Sequence, residues 1–204
     1  MIAVVDYGLG NIRAFANIYK NLNKPHIIAR CPRELESATH IILPGVGAFD
    51  HAMQSIKSSG MFDILNSLVK DRGIPVLGIC VGMQVLAESS EEGHEKGLGW
   101  IRGTVKKIDS SQFKQRTHLP HMGWNDIRPV KECGLFKGIN DDARFYFLHS
   151  YYFSCADKDD VLAVTEYGSE FACAVNSKNI YGVQFHPEKS HRYGIQLLKN
   201  FTEL

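Results

Sequence analysis

Short apolar runs separated by glycine-rich turns dominate the first half of the chain. Residues Ile2 to Val5 form a continuous apolar run rich in β-branched side chains, the pattern of a strand buried on both faces of a parallel sheet. After a turn, Ile12 to Leu22 carries apolar residues at positions 12, 15, 16, 19 and 22, which is the spacing of a helix with one apolar face. The chain therefore begins with a strand, a loop and a helix.

The alternation of strands and helices continues to residue 79. We predict a weak strand at His26 to Ala29, a clear strand at His40 to Leu43 and another at Pro75 to Ile79. Two helical stretches, Asp50 to Ser58 and Met61 to Arg72, separate the last two strands. Such alternation favours a parallel sheet with helices on its faces.

The second half of the chain follows a different pattern. Short β-like segments crowd together and are separated by turn-rich pieces. These segments are Trp100 to Asp109, His121 to Val130, Arg144 to Tyr152, Val161 to Val164, Phe171 to Val175 and Ile180 to Phe185. Neighbouring short strands of this kind suggest hairpins added to the parallel sheet. A helical stripe from Tyr193 to Phe201 closes the chain.

No internal repeat, low-complexity tract or linker divides the sequence. We therefore predict one α/β domain over residues 1–204, with a central, mostly parallel sheet flanked by helices and extended by antiparallel strands. The chain has 204 residues, of which 44% are hydrophobic and 22% are charged. That length and composition suit one globular domain with a substantial core.

Charge and cysteine content narrow the choice of partners and compartment. The formal net charge of +1 gives no electrostatic case for binding nucleic acid or an anionic membrane surface. The five cysteines are odd in number and include no Cys-x-x-Cys pair, which argues against a disulfide framework and a zinc site. The N-terminal run turns acidic at Asp6, and no stretch has the length of a signal peptide or membrane span. We expect a cytoplasmic protein without a metal or cofactor.

The run that ends at Cys80 is the first candidate for chemistry. Gly78 and Gly82 flank this cysteine in a predicted strand, turn and helix. A Gly-x-nucleophile-x-Gly elbow needs its glycines because the nucleophile's backbone is strained and flanking side chains would clash. The first N–H groups of a following helix would also favour the thiolate. The alternative is that Cys80 is a buried small hydrophobe between two packing glycines.

A second motif, about a hundred residues later in the chain, strengthens the hypothesis that Cys80 is a catalytic nucleophile. An apolar strand ends there in His186, Pro187 and Glu188, and the proline restricts the backbone that holds the imidazole and the carboxylate. A cysteine nucleophile needs a base of this kind, itself oriented by a carboxylate. Cys80, His186 and Glu188 are therefore a candidate catalytic triad.

Two glycine-rich loops follow predicted strands. The loop from Pro44 to Phe49 is either an ordinary turn or a source of backbone N–H groups for an oxyanion. The loop containing Gly8 and Gly10 invites a dinucleotide interpretation, but Arg13 stands where a small residue should let helix and strand pack closely. That loop can instead form a surface beside the active site, where the carboxyl ends of parallel strands collect.

Three motifs together resemble those of class I glutamine amidotransferases. They are Pro-Gly-Val-Gly at 44–47, Gly-Ile-Cys-Val-Gly-Met-Gln at 78–84 and Gln-Phe-His-Pro-Glu at 184–188. Their order and separation match that family over nearly the whole chain, and the combination is far more specific than any one motif. The resemblance implies glutamine as the substrate.

Further motifs resemble those of one branch of the family, the glutaminase subunits of imidazole glycerol phosphate synthases. They are Asp-Tyr-Gly-Leu-Gly-Asn at 6–11, Pro-His-Met-Gly-Trp-Asn at 120–125, Phe-Leu-His-Ser-Tyr at 147–151 and Lys-Ser at 189–190. In that branch the subunit releases ammonia from glutamine and passes it through a (β/α)₈ barrel cyclase partner. The cyclase makes imidazole glycerol phosphate and an aminoimidazole carboxamide ribonucleotide in histidine biosynthesis. The resemblance therefore implies a heterodimer with a cyclase subunit.

The resemblance also implies roles for individual residues. Cys80 would attack the glutamine side-chain amide, His186 would act as base and then as acid, and Glu188 would orient the imidazole. The oxyanion would be held by the backbone N–H of Val81 and by an N–H from the Gly45–Val46 peptide. The family's oxyanion loop is thought to change conformation when the partner binds, which implies a nearly inactive free subunit.

Recognition of the glutamine amino and carboxylate groups maps by resemblance to Gly47, Gln84, Glu92, Ser150 and Tyr151. Glu92 lies in a polar, acidic stretch that composition alone assigns to solvent, whereas a desolvated ligand ammonium needs an opposite charge. Gln84 follows Cys80 by one helical turn, so it can face the same pocket, although a helix-capping or surface amide is an alternative.

Positions near the partner's ammonia entrance map by resemblance to Asn11, Trp124, Asn125, Tyr146 and Lys189. Composition leaves open whether Trp124 is a core residue or an interface anchor, and it favours the core for Tyr146. The histidine pairs His149 with His191 and His118 with His121 suggest a metal site, but no carboxylate or cysteine joins them at ligand spacing.

Three alternatives to the histidine-pathway function stay open at the level of sequence. One is a paralogous glutaminase subunit that supplies ammonia for amidination of a sugar in surface-polysaccharide biosynthesis. Another is a cysteine peptidase or deglycase built on the same elbow, which Gln84, Glu92 and the intact His-Pro-Glu motif disfavour. The last is a non-catalytic scaffold subunit, which the presence of the complete triad disfavours.

Overall fold

A computed structural model of the chain describes residues 1–112, 118–140 and 142–204. The strands are β1 Ile2–Val5, β2 His26–Ala29, β3 His40–Gly45, β4 Val76–Cys80, β5 Ser89–Ser90, β6 Gly103–Lys107, β7 His121–Asp126, β8 Arg128–Pro129, β9 Arg144–His149, β10 Tyr151–Cys155, β11 Val161–Tyr167, β12 Ser169–Ser177 and β13 Ile180–Val183. The α-helices are α1 Ile12–Asn21, α2 Pro32–Leu35, α3 Phe49–Ser58, α4 Phe62–Asn66, α5 Val81–Gln84 and α6 His191–Phe201.

The largest sheet has the strand order β2-β1-β3-β4-β13-β12-β11-β8. Its first five strands run parallel, and each of the last three pairs antiparallel with its neighbour. β1 and β4 are buried along their whole length, as expected for parallel strands that have both faces covered. The predicted α/β fold, with a mostly parallel central sheet, flanking helices and added antiparallel strands, is confirmed.

Several of the β-like segments do not join this sheet, which corrects part of the hairpin prediction. β7 and β9 form a separate antiparallel ribbon, and β10, β6 and β5 form a three-stranded sheet. The ribbon strands alternate between buried and exposed side chains. In β9, for example, Phe145 and Phe147 are buried on one face, whereas Leu148 is exposed on the other. A strand with one apolar face can pack that face on a core and leave the other in solvent, whereas the parallel strands of the central sheet are apolar on both faces.

The helices differ from prediction mainly at their ends. The predicted helix Met61 to Arg72 is observed as α4 followed by a π-helical turn at Ser67–Asp71. The closing helix α6 begins two residues earlier than predicted, at His191. The short helix α2 was not predicted, because four residues are too few for a periodic apolar pattern. In the described ranges, no helix has the length and apolar character needed to cross a membrane.

Helix α6 packs closely against the turn that precedes it. A Cβ atom placed on Gly194 would lie 1.8 Å from the carbonyl oxygen of Pro187. The N–H of Gly194 donates to the carbonyl of Ser190 at 3.1 Å. Because the turn carries His186 and Glu188, the missing side chain of Gly194 lets the helix hold that turn in place.

We expect Gly194→Ala to destabilise the protein, although alanine is the better helix former. The propensity gain of about 1 kcal/mol is smaller than the cost of overpacking, about 1–3 kcal/mol, because the clash is with backbone. Urea unfolding followed by circular dichroism measures the change, with Lys199→Ala on the exposed side of the same helix as control. A more stable Gly194→Ala variant would contradict this packing argument.

Candidate active site at the ends of the central strands

Cys80 ends β4 in a strained backbone conformation. Its dihedral angles are φ 55° and ψ −114°, which a residue with a side chain rarely adopts and which cost about 1–3 kcal/mol. A Cβ on Gly78 would lie 2.4 Å from the carbonyl oxygen of Gly82, and one on Gly82 would lie 1.9 Å from that of Leu43. The two glycines therefore allow the elbow to approach its neighbours, as the motif predicts.

The helix that follows the elbow is only one turn long. α5 covers four residues, so it cannot supply the field of a long helix dipole. The first N–H groups of a helix nevertheless lack partners inside that helix. The N–H groups of Val81 and Gly82, which directly follow Cys80 in the chain, therefore have no partner inside α5.

His186 lies close to Cys80 because β13 and β4 are parallel neighbours in the sheet. Its Nδ1 is 3.0 Å from Oε1 of Glu188, and both side chains are almost fully buried. The side chains of Cys80 and His186 line the same cavity, and Cys80 is close enough to raise the pKa of the ring. The structure thus brings together the three residues that the motifs predicted as a triad, with the imidazole between the thiol and the carboxylate.

The ribbon strand β9 holds the backbone of His186. The N–H of His186 donates to the carbonyl of Tyr146 at 2.8 Å. The hydroxyl of Ser190 accepts from the N–H of Tyr146 at 3.0 Å and donates to the carbonyl of His186 at 2.6 Å. Ser190 is fully buried, so these bonds are shielded from water and fix the position of the ring.

The electrostatic surroundings of His186 favour its protonated form. Burial of the ring lowers the pKa of His186, but its interactions with Cys80 and then with Glu188 outweigh that effect. The pKa of His186 is raised to about 10. The ring is therefore protonated at neutral pH, where it can stabilise a negative charge on the sulfur of Cys80 and later donate a proton.

The triad opens into a cavity of about 280 Å³. The residues that line it are Val46, Gly47, Cys80, Val81, Gln84, Glu92, Pro120, Leu148, His149, Ser150, Tyr151, His186 and Lys189. All five predicted substrate contacts belong to this set, as do Val46 and Val81 from the predicted oxyanion site. Gly45 and Glu188 lie behind the lining, and Lys189, predicted at the interface, reaches the cavity as well.

Gln84 and Glu92 present acceptor atoms to the cavity. Both N–H groups of the Gln84 amide are used, at 3.0 Å to the carbonyl of Tyr151 and at 3.1 Å to Oε1 of Gln184, which leaves Oε1 of Gln84 for a ligand. Glu92 accepts from the N–H of Phe49 at 2.9 Å through Oε2 and keeps its other oxygen. Two acceptors on one wall suit a ligand ammonium, and Glu92 is only partly buried rather than fully solvated.

The loop after β3 lies beside the sulfur. Gly45 pairs with Cys80 across the parallel ladder, and its missing Cβ would lie 2.5 Å from the nitrogen of Gly82. The hydroxyl of Tyr7 donates to the carbonyl of Pro44 at 2.5 Å. Beyond this anchored part, Val46 is 42% exposed and Gly47 has φ +92°. The loop is therefore anchored as far as Gly45 and exposed from Val46 onward, and the predicted oxyanion peptide lies between these two residues.

Three of the predicted interface residues lie on the ribbon, Lys189 lies in the turn after His186, and Asn11 precedes α1. Trp124 is 45% exposed and its ring stacks on that of His191, with centroids 5.1 Å apart, which excludes a core position. Nζ of Lys189 lies 5.4 Å from the ring centroid of Tyr146. Asn125 donates to the carbonyl of Glu166 at 2.8 Å, and Asn11 is exposed before α1.

His121 and His149 contact each other instead of His118 and His191. Nδ1 of His121 is 3.1 Å from Nε2 of His149, whose Nδ1 is 2.8 Å from the carbonyl of Tyr151. Burial lowers the pKa of His121 to about 4 and that of His149 to about 3, so both rings are neutral. In the described ranges, no three His, Cys, Asp or Glu side chains are grouped so that they could hold a metal ion.

Three residues near the sulfur received no functional role from the sequence. Gln184 stands inside a quoted motif, His149 was considered only as a metal ligand, and Tyr7 belongs to a loop motif without a role of its own. Each acts through a contact with a residue distant in the chain, such as Gln184 with Cys80 at 3.8 Å. The signal that could have found them was a polar side chain inside an otherwise apolar stretch.

Comparison with known proteins gives consistent matches over the whole chain. The family model described as glutamine amidotransferase class-I matches residues 3–204. The protein named imidazole glycerol phosphate synthase subunit HisH from Bdellovibrio bacteriovorus is 59% identical over 204 residues, and the one from Leptospira borgpetersenii is 52% identical, each with 100% of both chains covered. A protein named subunit HisH 2 of this synthase, from Pseudomonas aeruginosa, is 47% identical over 206 residues, with 100% of both covered.

A solved structure of a glutamine amidotransferase has a TM-score of 0.74 to this chain at 20% identity, covering 99% of this chain and 97% of that one. The structure of PurLQS from Thermotoga maritima has the same TM-score, 0.74, at 17% identity, and covers 99% of this chain and 97% of that one. At these identities the likeness concerns the fold alone.

We expect Cys80→Ala to lower the pKa of His186 from its value of about 10, because it removes the interaction that most favours the charged ring. NMR titration of the His186 ring protons measures this, with Cys31→Ala, at an exposed position, as control.

The same shift has a consequence for stability. A folded pKa raised above 6.5 gives a stabilisation that is complete below about pH 6.5 and is lost as pH rises through about 10. The stability advantage of the wild type over Cys80→Ala should therefore shrink on the alkaline side. An unchanged His186 titration in Cys80→Ala would contradict the assigned contact.

Proposed function

We propose that this chain, which belongs to the class I glutamine amidotransferase family, is the glutaminase subunit of an imidazole glycerol phosphate synthase in histidine biosynthesis. The full-length identity of 59% to a protein named as that subunit carries this conclusion. The protein is a glutamine amidotransferase subunit, and its proposed products from glutamine are glutamate and ammonia.

The proposed reaction begins at Cys80. Its sulfur attacks the side-chain amide carbon of glutamine as a thiolate, beside the protonated ring of His186. The carbon–nitrogen bond then breaks, His186 gives its proton to the leaving nitrogen, and ammonia departs from a γ-glutamyl thioester. The ring, now neutral, takes a proton from water, which hydrolyses the thioester to glutamate and restores the thiolate and the protonated ring. The 3.0 Å contact between His186 and Glu188 supports the orienting role of the carboxylate.

The proposed oxyanion site combines two backbone segments. The N–H of Val81 comes from the first turn of α5, and the second N–H comes from the Gly45–Val46 peptide. Preorganised donors of this kind stabilise the tetrahedral intermediate more than the substrate. The exposure of Val46, next to the anchored Pro44 carbonyl, supports a loop whose outer peptide can reorient when a partner covers it.

The proposed binding of glutamine uses two groups of residues that line the cavity. The ammonium group lies against Oε1 of Gln84 and the free oxygen of Glu92, because both are acceptors facing the cavity. The α-carboxylate lies toward Gly47, Ser150 and Tyr151. The carboxamide then reaches Cys80.

The proposed partner is a (β/α)₈ barrel cyclase subunit, bound as a heterodimer over the mouth of the cavity. Exposed apolar side chains lie at and beside that mouth: Val46 and Leu148 line the cavity, Met122 pairs with Leu148 across the ribbon, and Trp124 lies two residues further along the same strand. A contiguous exposed apolar surface of this kind is typical of a protein–protein interface. Asn11, Asn125, Tyr146 and Lys189 belong to the same proposed interface. We further propose that residues 1–204 form a single domain and that the protein works in the cytoplasm, without binding nucleic acid.

The alternative functions have less support. The surface-polysaccharide paralogue is not favoured, because the highly similar full-length relatives carry the synthase name. A peptidase or deglycase would leave the two acceptors Gln84 and Glu92 unused. A non-catalytic scaffold would not need the buried contact between His186 and Glu188.

The experiment that tests this proposal is glutamate release from glutamine by the purified chain, alone and with a cyclase subunit and its nucleotide ligand. We expect a low rate alone and a strong rise with both. Cys80→Ala should abolish glutamine-dependent synthesis by the complex while the cyclase still works with added ammonium salts. Cys31→Ala, at an exposed cysteine, is the matched control.

Two results would contradict this proposal. Loss of ammonia-dependent synthesis in the Cys80→Ala complex would exclude a division of labour in which ammonia is passed on. A folded chain that neither binds the cyclase nor responds to it would exclude the histidine-pathway partner while leaving the triad in place.

Lys189 allows a separate test of the interface. We expect Lys189→Ala to weaken binding to the cyclase by about tenfold, as for a residue at the centre of an interface, and to change the free energy of unfolding by less than about 0.5 kcal/mol because the side chain is exposed. Titration calorimetry and urea unfolding measure the two effects, with Lys20→Ala on the exposed side of α1 as control. Unchanged binding and coupling would remove Lys189 from the interface.

A further inference from the structure

Gln184 is a fully buried polar residue directly after β13. Its Nε2 lies 3.8 Å from the sulfur of Cys80, within hydrogen-bonding distance for sulfur. Its Oε1 accepts from Nε2 of Gln84 at 3.1 Å. The amide therefore bridges the nucleophile and a residue that faces the ligand cavity, although the reaction described above gives it no role.

The orientation of the Gln184 amide follows from its neighbours. Gln84 donates one N–H to the carbonyl of Tyr151, at 3.0 Å, and the other to Gln184. Since Gln84 is the donor in that contact, the oxygen of Gln184 must face it. The N–H group of Gln184 therefore points at the sulfur, and a flipped amide would place an oxygen there and lose both bonds.

A chain of hydrogen bonds fixes the far end of this network. The carbonyl of Tyr151 also accepts from Nδ1 of His149, at 2.8 Å, so Nε2 of His149 is an acceptor and Nδ1 of His121 donates to it at 3.1 Å. Nε2 of His121 then accepts from Asn125 at 3.3 Å. Because the carbonyl of Tyr151 can only accept, the direction of each hydrogen bond in this series is fixed.

We propose that Gln184 is a further residue of the reaction, which donates a hydrogen bond to the sulfur of Cys80 and holds Gln84 in register with it. A donor aimed at sulfur stabilises the thiolate relative to the thiol, because hydrogen bonds to charged groups are stronger than those to neutral groups. The link to Gln84 rests on the proposed glutamine site. The link to the sulfur does not, since it concerns the reactivity of the thiol itself.

The test measures that reactivity directly, without glutamine or a cyclase. Alkylation of Cys80 by iodoacetamide is followed peptide by peptide with mass spectrometry, and the exposed Cys31 of the same chain serves as internal reference. Gln184→Met and Gln184→Leu keep the approximate volume and remove the donor. Gln196→Met, at a partly buried glutamine on α6, is the matched control.

We expect alkylation of Cys80 at neutral pH to slow by about tenfold in both Gln184 variants, which corresponds to about 1.4 kcal/mol. Cys31 should react at the wild-type rate in every variant, and Gln196→Met should leave Cys80 unchanged. A merely structural role would move the unfolding midpoint without changing the ratio of the two alkylation rates.

Wild-type alkylation of Cys80 in a folded Gln184 variant would overturn the proposal, as would failure of both variants to fold, which would assign Gln184 to the core. A failure of the glutaminase proposal would give a different combination of results. Slow alkylation in the variants together with a wild-type chain that never hydrolyses glutamine would keep the donor to sulfur and remove the substrate assignment.

Discussion

The close approach of the elbow to strand β3 is the constraint on which the site depends. The backbone of Gly82 lies so near the carbonyl of Leu43 that no side chain fits between them, and Gly78 meets Gly82 in the same way. This contact allows Cys80 to keep φ 55°, because the surrounding strands over-determine a conformation that is unfavourable alone.

The ribbon of β7 and β9 serves both the core and the site. Its buried side packs Phe145 and Phe147 into the core, while the backbone of Tyr146 holds His186 and Ser190. Its outer side leaves Trp124 and Leu148 exposed near the cavity. The exposed side that we propose for the partner interface and the backbone that positions His186 therefore belong to one small element.

Much of the fold follows from local patterns. β1, β3 and β4 were predictable because parallel strands covered on both faces are continuous apolar runs, and Cys80 was predictable because its glycines have a steric reason that local sequence reveals. The separate ribbon of β7 and β9 was harder to predict, because the apolar residues Phe145 and Phe147 would suit a strand of any sheet. Gln184 and Cys80 are 104 positions apart, and no periodicity encodes a contact of that separation. Glu92 needed the family resemblance, because composition alone places an acidic stretch in solvent.

The most direct test of the central claim is capture of the covalent intermediate. The complex of this chain with a cyclase subunit and its nucleotide ligand is mixed with isotope-labelled glutamine, quenched in acid and analysed by peptide mass spectrometry. We expect a γ-glutamyl thioester on the peptide that contains Cys80. Glutamate released without a labelled Cys80 peptide, or with the label on another residue, would contradict it.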